Sequence, residues 1–388
     1  MTRVAERPVI PAARYAHRLA LASDLAAEHG FAALLVGVGP DLRYLAGYAA
    51  MPLERLTMLV VAPGRPPRLV VPRLEAAAAR TSPAAEAGLT EIVTWEETDD
   101  PHALVAGLAR QAVAGGDRLG VSDRLWASHL LRLQAALPGT RFESATPVLR
   151  ELRMTKDGDE VALLTMAAHA ADRVVAQIAG GRLVGRTEVD VAAEVRERLL
   201  AEGHQLAEFA IVASGPNSAS PHHEASERVI EAGEPIVLDI GGSFDGYGSD
   251  ITRTLWVTGG DRDKGPDPEF LRLFELVRDA QAEATSAVRP GIPCGRLDAV
   301  ARQIIAAGGY GPQFFHRLGH GIGLEGHEDP YLVSGNSEPL RPGAAFSVEP
   351  GIYLDGRYGA RIEDIVVCGL DGPIVLNEAS RDLYVVPG

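Results

Sequence analysis

Asp239, Asp250, His320, Glu349 and Glu363, in that order along a 388-residue chain, are the side chains best suited to chemistry. The first two lie in Ile236 to Val257, IVLDIGGSFDGYGSDITRTLWV. Two β-branched apolar runs flank Asp245-Gly246 there, which reads as a hairpin with a two-residue turn. With Phe244 opposite Tyr247, counting outward places Asp250 opposite Gly241 and Thr252 opposite Asp239. Strand side chains alternate faces, so all four share one face and the two carboxylates become diagonal neighbours. Carboxylates that close repel unless a proton or a cation lies between them. Gly241 and Gly242 are read as open space beside Asp239 through which a metal or ligand could approach. Thr252 is read as a hydrogen-bonding partner in the same group.

The other acids come from FSVEPGIYL, a turn at DGRYG, and ARIEDIVVC, which present Glu349 and Glu363. Arg361 falls on the face of Glu363 and is read as an ion pair that orients it. Between the two acidic segments lies FFHRLGHGIGLEGHEDP, with His316, His320 and His327. The glycines around His320 are read as backbone pressed against a ligand. Four carboxylates and one imidazole form an oxygen-rich set, suited to manganese or another hard or borderline divalent ion rather than a thiolate zinc site. Five ligands are enough for two ions roughly 3.5–4 Å apart, the arrangement that activates a bridging hydroxide.

These residues need strands to carry them and helices to back the strands. Ala12 to His29 reads as an amphipathic helix and Phe31 to Val36 as a strand, with a loop from Pro40-Asp41 into LRYLAGY. Strands at Thr57–Val61, Arg68–Val71 and Arg118–Val121, with helices near Leu74–Arg80 and Ala103–Ala114, make an alternating α/β pattern. A long helix from Asp159 to about Ile178 opens the second half, and Thr187-x-x-Asp190 caps the next one. Helices near Pro268–Val288 and Arg296–Ala307 precede the second acidic segment. Helices followed by a carboxylate-bearing strand pair therefore occur twice. The domain boundary is placed at 147/148.

Composition narrows the class. A formal net charge of −15 disfavours nucleic acid and anionic membrane as partners. Two cysteines, Cys294 and Cys368, without CxxC spacing, argue against a disulfide framework and for a reducing compartment. No run reads as a signal peptide or as long enough to span a membrane, so a cytoplasmic protein is expected. His17, His29, His102, His129, His169 and His204 are assigned to surface or helix packing, and His223 to a structural role beside His222.

In order and local context the five ligands resemble those of the dinuclear-metal peptidases with the pita-bread fold: Xaa-Pro dipeptidases (prolidases), Xaa-Pro aminopeptidases and methionine aminopeptidases. Pro221-His222, His316 and His327 resemble further histidines of the Xaa-Pro branch, and DLRYLAG (Asp41–Gly47) resembles a first-domain segment. The resemblance implies an α+β protein. A C-terminal pita-bread metallopeptidase domain, 148–388, would follow a smaller α/β creatinase/prolidase-type domain, 1–147. It implies two divalent ions, expected to be manganese with cobalt or zinc as alternatives, on Asp239, Asp250, His320, Glu349 and Glu363. Glu349 would also act as general base, His327 would stabilise the oxyanion, and His222 and His316 would position the proline end. His222, His327 and Glu349 are thus the catalytic set, and His316 and Arg361 the substrate-binding set. The implied substrate is a small peptide with proline at its second position, cleaved by a homodimer. Tyr331 stands where some prolidases carry arginine, which leaves an Xaa-Pro aminopeptidase acting on longer peptides as the alternative to a dipeptidase. A non-enzymatic pita-bread binding protein is a third reading, disfavoured by the intact ligand set.

Overall fold

The structure, a computed structural model, describes residues 8–112 and 117–387. It divides into two compact units, one spanning Val9–Arg153 and the other beginning at Met154. The division falls at the end of the helix Thr146–Met154, whose second residue is Pro147.

The first unit is a six-stranded mixed sheet of β1 (Ala33–Gly37), β2 (Met58–Val61), β3 (Arg68–Pro72), β4 (Glu91–Trp95), β5 (Arg118–Val121) and β6 (Arg141–Ser144). The spatial order is β4-β3-β2-β1-β5-β6. The helices are α1 (Ala12–Glu28), α2 (Pro40–Ala46), α3 (Ala76–Arg80), α4 (Pro83–Glu86), α5 (Pro101–Ala112), α6 (Ala127–Ala136) and α7 (Thr146–Met154). Central β1 is buried along its whole length, as its unbroken apolar run requires. The loop expected from Pro40-Asp41 is instead α2: Pro40 starts the helix and Gly47, left-handed at φ 68°, ends it. Proline at a first helical position and glycine just past the end are start and stop signals, not only breakers. The last residues of the helix expected at Ala103–Ala114 lie outside the described residues.

The second unit repeats one scheme twice. α8 (Gly158–Ala179) and α9 (Glu188–Ala201) back a sheet of β7 (Leu206–Ser214), β8 (Glu234–Phe244), β9 (Tyr247–Gly248) and β10 (Ile251–Val257). Later, α10 (Pro268–Ser286) and α11 (Cys294–Ala307) back β11 (Gly319–Gly321), β12 (Glu328–Leu332), β13 (Ala345–Val348), β16 (Asp364–Cys368) and β17 (Pro373–Val375). Between β13 and β16 the ribbon of β14 (Gly351–Leu354) and β15 (Tyr358–Arg361) is inserted, and β18 (Tyr384–Val386) joins the first sheet beside β10. Val174, Val195 and Leu238 meet in the first core, and Phe270, Leu297 and Phe346 in the second. The pairing of helices with acid-bearing strands is therefore two cores built on the same plan.

α8 is long and apolar enough by length and composition to cross a membrane, against the expectation that no segment would be. Its apolar face is instead the inner face of a core: Ala171, Val174, Val175 and Ile178 are buried against α9 and the sheet. Polar residues on the same helix are engaged, since Asp172 accepts from Asn377 Nδ2 (3.1 Å) and from the Glu378 amide (2.7 Å). Asp157 and Glu160 form a capping box at its start, as Thr187 and Asp190 do for α9.

Candidate metal centre

The hairpin has the register that residue spacing predicts. Phe244 pairs with Tyr247 and Asp239 with Thr252. Asp245 and Gly246 both take positive φ, 48° and 79°, as a type I′ turn demands. The glycines serve another purpose than the one expected. A Cβ at Gly241 would lie 2.4 Å from the Phe209 ring and from the Ser249 carbonyl, and one at Gly242 would strike Leu206 O and His204. The space that the two glycines leave is thus filled by β7 and its neighbours. The glycines flanking His320 behave likewise: a Cβ at Gly319 would lie 1.9 Å from Ser347 O, and one at Gly321 2.2 Å from Asp329 O. They let β11 lie close between β12 and β13, not against a ligand.

The two sheets are tied together beside the acids. Arg253, 1% exposed, donates to Asp364 Oδ1 (2.7 Å), Glu363 O (2.6 Å) and Ser380 O (2.8 Å). Glu363 N donates to Thr252 O (3.1 Å). These bonds fix Asp250, which leads into β10, against Glu363, which leads into β16. One ligand atom each from Asp250, His320 and Glu363 lies within 4.8 Å of the others. Glu349 Oε1 lies 3.3 Å from His320 Nε2, and Asp250 Oδ2 lies 3.7 Å from it. All five expected ligands line one cavity of about 630 Å³, together with His222, His316, His327 and Arg361.

The electrostatics are those of a cation site. Burial, reinforced by the neighbouring carboxylates, pushes Asp250 and Glu363 well above the usual range. Burial also raises Asp239, against the opposing pull of Arg361. Burial acts on Glu349 in the same sense but is outweighed by the hydrogen bond and charge of His320, which hold it at about 2. The imidazole is correspondingly raised to about 8, its acidic partners overcoming desolvation. His320 Nδ1 lies 3.1 Å from Gly321 O; donating there leaves the lone pair of a neutral ring on Nε2, the atom facing the acids. Asp239 Oδ2 accepts from Arg361 while its buried Oδ1 has no hydrogen-bond partner. An orphaned carboxylate oxygen, crowded acids and an oriented imidazole fit divalent cations.

Arg361 pairs with Asp239 where an ion pair with Glu363 was expected. Its Nη2 donates to Asp239 Oδ2 (2.6 Å), Nη1 to Tyr353 Oη (2.9 Å) and Nε to Thr252 Oγ1 (3.0 Å). It reaches Glu363 only through Thr252, whose hydroxyl donates to Glu363 Oε2 (2.7 Å). At 2% exposure, with each of its three nitrogens donating to a neighbour, it orients the acids. His316 lies 3.0 Å from Tyr353 Oη through Nε2, and the His327 ring lies against His320 with centroids 3.8 Å apart and planes tilted by 31°.

Glu188 escaped the sequence reading. Wholly buried, it accepts from Ser214 N and Oγ, Asn217 Nδ2, Ser226 N and Oγ, and pairs with His223 Nε2 at 2.8 Å. It thereby gathers the loop that carries His222. Its place inside the Thr187–Asp190 capping box made it look like an ordinary first-turn acid. His223, assigned a structural role, is bound to this buried carboxylate.

A buried acid cluster with an imidazole, set between two helix-backed sheets and preceded by a separate α/β unit, defines a class of metal-dependent hydrolase. The chain belongs to metallopeptidase family M24, whose model matches residues 162–369, and residues 18–155 match the creatinase/prolidase N-terminal domain. A probable dipeptidase PepE of Mycobacterium tuberculosis is 46% identical over 376 residues, 96% of this chain and 97% of that protein. The crystal structure of dipeptidase PepE from Mycobacterium ulcerans superposes with a TM-score of 0.90 at 44% identity, covering 98% of this chain and all of that one. The Xaa-Pro dipeptidase of Pyrococcus horikoshii is 33% identical over 352 residues, 90% of this chain and 94% of that protein. The chain is therefore a hydrolase with the pita-bread fold and a creatinase-type N-terminal domain.

Proposed function

We propose that this protein is an Xaa-Pro dipeptidase, a cytoplasmic homodimer using two manganese ions. The observation that carries this reading is the convergence of Asp239, Asp250, His320, Glu349 and Glu363 with His222, His316 and His327 on one cavity. Those five residues would hold the ions, which supply Lewis acidity and a water acidic enough to attack at neutral pH. Glu349 takes the proton of the attacking water and delivers it to the proline nitrogen as the C–N bond breaks. His327 donates to the carbonyl oxygen as charge develops on it. His222 and His316 hold the proline end. A tertiary X-Pro amide has no N–H, so a site that locates the bond through a ring and a chain end suits it. Two buried free thiols agree with a reducing compartment. Light scattering at the mass of one chain would count against the dimer.

The direct test is hydrolysis of Ala-Pro by the purified protein after exhaustive chelation and again after adding manganese. Activity should vanish and return, and Asp250→Asn should lose bound metal and turnover together. Undiminished hydrolysis in the stripped protein contradicts the reading. Faster cleavage of Ala-Pro-Ala than of Ala-Pro favours the aminopeptidase instead.

A further inference from the structure

His316 stands on a stretch of chain with no regular structure of its own. Residues 314–318, between the 3₁₀ turn Gly311–Gln313 and β11, belong to neither helix nor strand. A side chain that must hold a substrate to within fractions of an ångström needs such a segment fixed from elsewhere. The fixing comes from α11. Asp298 and Arg302, one turn apart on that helix, form a two-pronged ion pair, Nε to Oδ2 and Nη2 to Oδ1, both at 2.9 Å. The same guanidinium donates to Phe314 O (2.7 Å, through Nη1) and to His316 O (2.8 Å, through Nη2). Asp298 Oδ1 accepts from Leu318 N (3.1 Å). One pair of side chains thus grips the backbone at 314, 316 and 318. Rings extend the grip: the Arg302 guanidinium lies over the Phe314 ring, 4.3 Å from its centroid, and that ring meets His316 edge-on at 5.0 Å. Asp298 is wholly buried, and neither it nor Arg302 is among the residues that line the cavity.

We propose that the Asp298–Arg302 pair, working through the backbone of 314–318 and the Phe314 ring, positions His316 for the proline end of the substrate. This rests on the Xaa-Pro dipeptidase reading above, in which His316 touches that end. Arg302 is then a positioning residue that acts on the reaction from outside the cavity. Its charge and its grip are separable. A lysine ammonium can compensate buried Asp298, but it lacks the planar fork that serves a carboxylate and two carbonyls at once. The group that His316 holds does not react, so the contribution of the pair belongs mainly in KM.

The experiment measures kcat and KM for Ala-Pro, with bound manganese, in Arg302→Lys, His316→Ala and the double variant. Arg302→Lys should keep the manganese content of wild type, because His320 has its own hold, its amide donating to Ser347 Oγ (3.1 Å). Its kcat/KM should fall by about 10²-fold, the cost of a small misplacement, mainly through a raised KM. His316→Ala should lose a similar factor. Adding Arg302→Lys to His316→Ala should cost little more, since the pair then has nothing left to position. Phe314→Leu leaves the ion pair whole and removes only the ring against His316, so KM should rise there too, whether or not Arg302→Lys folds well. Losses that multiply in the double variant overturn the proposal, as does an unchanged KM in Arg302→Lys or Phe314→Leu. Manganese lost from Arg302→Lys also overturns it, by assigning the pair to His320 instead. All of these results leave wild-type cleavage of Ala-Pro, and with it the dipeptidase reading, standing. Wild type that fails to cleave Ala-Pro overturns that reading and this proposal together.

Discussion

Asp239 shows how one carboxylate can serve two masters: one oxygen accepts from Arg361, and the other is buried without a hydrogen-bond partner. That the five candidate ligands share one cavity was legible in the sequence because residue type and strand register are both written there. The partner of Arg361 was not. Period-two counting puts Arg361 on the face of Glu363 but cannot say that β15 crosses to within reach of Asp239, across a different sheet. The two adjacent loop histidines are the sharpest residue-level test. His222 lines the cavity, whereas His223 is 2.8 Å from buried Glu188. His222→Ala should keep metal content and melting temperature while turnover on Ala-Pro falls roughly 10²–10⁴-fold. His223→Ala should lower the melting temperature and cost less turnover. The opposite assignment of effects would exchange the two roles.

At the level of elements, the β8–β10 hairpin was readable to the residue because an Asp-Gly turn fixes register by itself. The glycines were readable as positions of close approach but not as to what approaches, since a Cβ clash with β7 or β13 is a tertiary fact. α2 was missed because proline was taken as a breaker, and Gly47 as a loop residue, when together they bracket a helix. The loop carrying His222 has no regular ladder beyond its 3₁₀ turn at Gly215–Ala219, so Glu188 replaces one. Burial alone would raise the Glu188 pKa, but donors from Ser226 and Ser214, with His223, outweigh it and hold it at about 2. The unfolded value is near 4.5, so the folded state releases this proton more readily. The resulting stabilisation is complete above about pH 4.5 and is lost as pH falls towards 2. A shift of that size corresponds to about 3 kcal/mol. Glu188→Gln should therefore be less stable than wild type by roughly that amount at pH 7, with the gap narrowing below pH 4.5. A gap independent of pH in denaturant unfolding would mean that the carboxylate charge is not what holds the loop.

For the whole molecule, the two units have separate cores and only one of them holds the candidate ligands. Asp239, Asp250, His320, Glu349 and Glu363 all come from the second unit, on or beside β8, β10, β11, β13 and β16. Without a cation, four carboxylates in a buried cluster repel one another and weaken the contact between the sheets that carry them. A cation that binds the folded but not the unfolded site adds about 2.7 kcal/mol at a hundred times its dissociation constant. That gain acts where the ligands are. Hydrogen exchange should therefore become faster on chelation at 234–257, 319–321 and 345–368. Strands β1 and β5, at 33–37 and 118–121, should exchange as before, because their protection derives from a core of Ala33, Leu35 and Leu119 that contains none of the ligands. Restoring manganese should return the slow exchange only in the second unit. An equal change in β1 would show that the metal stabilises the chain as one cooperative body, and no change in β8 or β10 would separate these acids from metal binding altogether.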